Sequence, residues 1–93
     1  MSDYRIFETS QFQKDLERLA PHRLGQIKAK LSKYCYPQLK QEPHFGPNIK
    51  RLKGYEPPTW RYRIGDWRFF YEIDEKNKIV LLLTVEHRRE AYR

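Results

Sequence analysis

Residues 60–74, WRYRIGDWRFFYEID, constrain this chain more than any other stretch. Hydrophobic and charged residues alternate on both sides of Gly65-Asp66, which is the pattern of two strands joined by a two-residue turn. Such a turn fixes the register: Ile64 opposes Trp67, Arg63 opposes Arg68, Tyr62 opposes Phe69, Arg61 opposes Phe70 and Trp60 opposes Tyr71. Side chains alternate along a strand, so Trp60, Tyr62, Ile64, Trp67, Phe69 and Tyr71 share one face while Arg61, Arg63, Arg68 and Phe70 share the other. The aromatic face has to be covered, and the rest of the chain must supply the cover.

That cover reads as helical. Ser10 followed by Gln13 fits a capping box, and Phe12, Leu16 and Leu19 recur at helical spacing, predicting a first helix that ends near Ala20. Pro21 starts a second, whose stripe of Leu24, Ile27, Leu31, Tyr34 and Cys35 faces the core until Pro37 closes it; Lys28, Lys30 and Lys33 face solvent. Gln38 to Asn48 is expected to be a loop, and Ile49 to Gly54 a short strand. Tyr4 to Glu8 predicts an initial strand. The near-continuous apolar run from Lys78 to Val85 predicts a final, central strand buried on both faces. With 93 residues, residues 1–93 form a single domain. The expected class is α+β: a two-helix hairpin on one face of a mainly antiparallel sheet of four to five strands, in the order β-α-α-β-β-β.

The arginine face poses an electrostatic problem. Like charges directly across a strand pair cost roughly 0.2–1 kcal/mol. Compensation has two sources: neutralisation by Glu56, Asp66, Glu72 or Glu86, or an external anion such as phosphate, which guanidinium groups bind through paired donors. Phe70 would then offer a base a surface to stack on. The composition suits a polyanionic partner, with 19 Lys and Arg against 12 Asp and Glu and a net charge of +7. The single cysteine, Cys35, excludes an internal disulfide and reads as core, and three histidines make a metal site an unneeded assumption. No cofactor is expected. No run approaches the roughly 18 apolar residues of a membrane span, and MSDYRIF lacks the layout of a signal peptide, so no membrane partner and a cytoplasmic location are expected.

The chain ends in EHRREAYR. If the last strand lies beside the hairpin, His87, Arg88 and Tyr92 reach the edge of the arginine face. They add a group that titrates near neutrality, a further guanidinium and a phenol. Metal-free RNA cleavage requires a base for the 2′-OH proton, cations for the phosphorane and an acid for the leaving 5′ oxygen. The alternative is a solvated basic tail with Tyr92 packed on the sheet.

With these parts assembled, the chain resembles the RelE/ParE toxin superfamily of bacterial and archaeal toxin–antitoxin systems. The similarity covers most of the sequence: strand, helical hairpin, LKG at 52–54, the RxRxGDxRxxY hairpin, and HRxxxY at the end. Resemblance to the RelE branch implies an mRNA interferase that acts by 2′-OH attack, often in the ribosomal A site. It also implies neutralisation by a cognate antitoxin, with an oligomeric state that changes on antitoxin binding. By position, Arg68 matches the arginine at the scissile phosphate, Arg88 the arginine that stabilises the transition state, and Tyr92 the C-terminal tyrosine. His87 is the candidate acid or base. Arg61, Arg63, Phe70 and Lys53 of the LKG motif are candidates for RNA and phosphate binding. Arg61 and Arg63 stand where the RelE type carries lysines, and arginine is effectively never deprotonated, so neither is a general base. The ParE branch shares the fold and poisons DNA gyrase. A non-catalytic nucleic-acid-binding module is a third alternative.

Overall fold

The computed structural model of the chain describes residues 3–87. Five strands, β1 (Arg5–Glu8), β2 (Ile49–Arg51), β3 (Trp60–Ile64), β4 (Trp67–Asp74) and β5 (Ile79–His87), form one sheet in the order β1-β5-β4-β3-β2. Pairing is antiparallel except for β1 against β5, which run parallel. The hairpin has the register expected from its two-residue turn, from Trp60↔Tyr71 to Ile64↔Trp67. Gly65 makes the turn possible, because its φ of 58° lies in the left-handed region, which glycine enters without steric cost.

One helical layer covers the aromatic face. It consists of α1 (Ser10–Glu17) and a second helix built from α2 (Pro21–Lys30), a π-helical turn (Leu31–Cys35) and α3 (Tyr36–Gln41) in unbroken succession. Trp60, Tyr62, Trp67, Phe69, Tyr71, Val80 and Leu82 are buried from the sheet side, and Phe12, Leu16, Ile27, Leu31, Cys35 and Leu39 from the helix side. Two of these core side chains carry hydroxyls and both are satisfied: Tyr71 donates to Pro43 O at 2.6 Å and Tyr62 to Gln38 Oε1 at 3.1 Å. A buried tyrosine is tolerable on these terms. Burial also pushes the Cys35 thiol far up, so it stays a neutral core group.

The helices depart from expectation in two places. Pro37 does not close the second helix, which continues to Gln41. A proline inside an α-helix clashes with the carbonyl four residues earlier and lacks a donor. Here the turn before it is widened, with the Tyr36 N–H donating five residues back to Leu31 O, and that wider turn accommodates the ring. The N-cap of α1 is Thr9 rather than Ser10, and the helix stops at Glu17. Thr9 Oγ1 accepts from Phe12 N at 3.3 Å and donates to Leu82 O at 2.7 Å, tying the start of α1 to the middle of β5. Thr9→Ala is therefore expected to lower stability by about 1–2 kcal/mol in urea unfolding, with most of the loss recovered by Thr9→Ser.

The final strand is not buried on both faces. Val80 and Leu82 are buried toward the helices, whereas Leu81 and Leu83 on the other side are only partly covered. A bulge interrupts its pairing, since Phe70 faces Thr84 while Tyr71 faces Leu82, leaving Leu83 as the extra residue. One inserted residue exchanges the faces of everything beyond it. Val85 and His87 thus turn to the helix side, and Thr84 and Glu86 to the arginine side.

At the sheet end remote from the Gly65 turn, His44 sits between two carboxylates, with Nδ1 2.7 Å from Glu42 and Nε2 2.6 Å from Glu75. Tyr4 donates to Glu75 at 3.0 Å, and the Lys78 amine lies 4.8 Å over the Tyr4 ring. Partial burial opposes charging of His44, but the bonds to Glu75 and Glu42 outweigh it and hold the imidazole pKa above its ordinary value. The same contacts hold both carboxylates below theirs, through the His44 backbone N–H and then its ring for Glu42, and through the ring for Glu75. The histidine contribution is complete below the unfolded value of about 6.5 and is lost as pH rises through the higher folded value. The carboxylate contribution is present above about 4.3 and is lost as pH falls through the depressed values. The difference in melting temperature between the wild type and His44→Gln should accordingly peak between about pH 4.5 and 6.5 and shrink toward pH 8.5. A difference that grows with pH would contradict this assignment.

Candidate functional site

Two cationic rows cross the face of the sheet that the helices leave open. In the first, Lys50 of β2 stands opposite Arg61 of β3, which stands opposite Phe70 of β4 and then Thr84 of β5. In the second, Arg63 stands opposite Arg68, and Arg68 opposite Glu86. The Arg63 N–H donates to Asn48 O, on the β2 side, at 2.9 Å. Arg63 and Arg68 therefore form a non-hydrogen-bonded pair, the kind in which facing side chains stand closest. The sequence-predicted Arg61, Arg63, Arg68 and Phe70 are all brought together.

Intramolecular compensation is slight. Of the four acids expected to neutralise this face, Glu86 alone forms an ion pair with it among the described residues, at 3.7 Å from Arg68 Nη2. That is beyond hydrogen-bond length, and Glu86 is 47 % exposed, so the pair contributes little. Arg61 Nε and Arg68 Nε are shielded from solvent with no hydrogen-bond partner among the described residues. A shielded donor without an acceptor is costly to keep. Arg63 is exposed. Guanidinium groups with outward donors in a row stabilise negative charge on a phosphate or phosphorane, but none of them accepts a proton near neutrality.

His87 is not part of this face. It opposes Trp67 in register, and its ring makes an edge contact with Trp67 at 4.5 Å between centroids, on the helix side with Asp15 and Arg18 lining the same small cavity. The β5 bulge is the reason, since unbroken alternation from Leu82 would have put His87 among the arginines. Lys53 lies exposed in the turn after β2, outside both rows. Arg88 and Tyr92 lie outside the described residues. One cation of the rows, Lys50, was missed from the sequence, because β2 is too short to display periodicity. Trp60 and Trp67 are core. Arg51, next to Lys50, turns to the helix side and lies 5.6 Å over the Trp60 ring.

Comparison with known proteins identifies the lineage. The family model for the ParE toxin of the type II toxin–antitoxin system parDE matches residues 6–92. The chain belongs to this family. The toxin RelG of Mycobacterium tuberculosis is 32 % identical over 92 residues, covering 97 % of each protein. The RelBE2 toxin–antitoxin complex of the same organism superposes with a TM-score of 0.72 at 29 % identity, over 95 % of this chain and 94 % of that one. A double arginine-to-alanine mutant of Escherichia coli RelE in the free state shares the fold at 17 % identity, with a TM-score of 0.65 over 99 % and 90 % of the two chains. This family member is the toxin of a type II toxin–antitoxin system, with the two-helix layer and mixed five-stranded sheet of RelE-like structures.

Proposed function

We propose that this toxin is an endoribonuclease, an mRNA interferase that works on the ribosome and halts translation. The carrying observation is the cross-strand Arg63–Arg68 pair, with Arg61 and Lys50 beside it and, among the described residues, only a loose contact from Glu86 in compensation. In this reading Arg68 and Arg63 grip the scissile phosphate, and Arg88, the residue after β5, adds charge stabilisation as the 2′-OH attacks and the 5′ oxygen departs. Arg61 and Phe70 hold the neighbouring nucleotide, and Tyr92 stacks on a base or assists the proton transfers. Positioning and charge stabilisation supply the rate, with no metal required. The location is cytoplasmic, and a cognate antitoxin binds the toxin, a reading supported by the likeness to the RelBE2 toxin–antitoxin complex.

Inducible expression followed by mapping of mRNA 5′ ends tests the reading. New ends should appear with the wild type and vanish with the combined Arg68→Ala and Arg88→Ala substitutions. The match to a ParE family favours one second reading, inhibition of DNA gyrase. Growth arrest without new RNA ends, together with loss of supercoiling by purified gyrase, would establish that reading instead.

A further inference from the structure

Beside the arginine rows the same face sinks into a cavity of about 350 Å³, between the β4–β5 bulge and the segment that leads into β3. Phe70 forms a wall shared with the first row, Thr59 lies at the base, and Tyr55, 54 % exposed, stands at the rim. Three carboxylates line it: Glu56, Glu72 and Glu86. This size is at the small end of ligand pockets. Its chemistry differs from that of the adjoining rows, because carboxylates repel phosphate and offer acceptors only.

We propose that this cavity receives one unstacked nucleobase of the bound RNA and selects for guanine. The inference rests on the ribonuclease reading of the arginine rows. Phe70 lies two residues from Arg68 on the same strand face, about 7 Å away along the strand. A single nucleotide spans that interval with its phosphate on Arg68 and its base against Phe70. Glu86 sits at the boundary, lining the cavity and pairing with Arg68. Single-stranded RNA is read in this way, by aromatic stacking and hydrogen bonds to the base edge. Ionised carboxylates choose among the bases by their donors. Guanine presents N1–H and N2–H side by side, matching both oxygens of one carboxylate. Cytosine and adenine each present one amino group beside an acceptor, and uracil presents a lone N–H between two carbonyls. Glu72, which projects from β4 beyond Phe70, and Glu56 are the specificity-determining side chains.

The test reads binding without cleavage. Isotope-labelled toxin is titrated with guanosine 5′-monophosphate and with uridine 5′-monophosphate, and the amide resonances are followed by NMR. Guanosine monophosphate should shift Tyr55, Thr59, Phe70 and Thr84, with affinity roughly tenfold or more above that of uridine monophosphate. Glu72→Gln and Glu56→Gln, both isosteric, should erase the difference between the nucleotides while leaving the folded spectrum intact, and Tyr55→Ala should weaken both. Equal response to the two nucleotides, shifts confined to Lys50, Arg61, Arg63 and Arg68, no shifts, or a preference that survives both glutamine variants would each overturn the proposal. Wild-type RNA cleavage accompanied by any of these results contradicts the pocket and spares the nuclease. Guanine-selective shifts without RNA cleavage support the pocket and count against the nuclease.

Discussion

Arg68→Ala is expected to lower cleavage of ribosome-bound mRNA by about 100- to 1,000-fold, the loss seen when a single preorganised donor to a developing negative charge is removed. Two features of the side chain set this expectation. It stands in a closest-spaced pair with Arg63, and its side chain is partly buried with Nε shielded from solvent. Arg68→Lys keeps the charge but not the paired donors, and should recover only part of the rate. Arg63 is exposed and has more freedom, so Arg63→Ala should cost less. A single-turnover assay with saturating toxin separates these effects from weaker binding. Equal rates for the wild type and Arg68→Ala would remove Arg68 from the site.

The largest structural effect is expected at Phe69. Its ring is wholly buried, 6.3 Å from Phe12 and 6.4 Å from Tyr62 between centroids, where the hairpin meets α1. Phe69→Ala should cost about 3–5 kcal/mol, from lost transfer energy and the cavity left behind. A domain of this size has roughly 5–15 kcal/mol in total, so urea unfolding should show a much lower midpoint or a protein unfolded at 37 °C. Phe70→Ala, one residue away on the open face, should change stability far less while weakening RNA binding. The contrast separates core aromatics from those available to a ligand. Equal destabilisation by the two substitutions would contradict the assignment of faces.

Much of the arginine face was legible because the Gly65-Asp66 turn is only two residues long. A two-residue connection allows one register, and that register alone places Arg63 against Arg68. The α+β class, with helices on one face of a sheet of four to five strands, follows from the same alternation together with the helical stripe of Ile27 and Leu31. Two departures that escaped the sequence share one cause, insertions of a single residue that leave composition untouched. The π turn at Leu31–Cys35 lets the second helix pass Pro37, and the bulge at Leu83 reverses the faces of Glu86 and His87. Period-based reasoning assumes unbroken repeats, so it put His87 with the arginines when it packs on Trp67. The capping of α1 shifted by one residue because Thr9 and Ser10 are both good caps, and only Thr9 also reaches the Leu82 carbonyl. The cavity beside Phe70 depends on residues 55–59 folding over the sheet, which no local pattern announces.

The central claim is that the arginine rows serve an attack by the 2′-OH on the adjacent phosphate. The most direct measurement uses a reporter mRNA on the ribosome carrying a single 2′-deoxynucleotide at a mapped cleavage site, compared with the all-ribose message. The account predicts that the all-ribose message is cut to leave a 2′,3′-cyclic phosphate, and that the deoxy position is not cut at all. Cutting at the deoxy position, or a product ending in a 3′-OH, would contradict it.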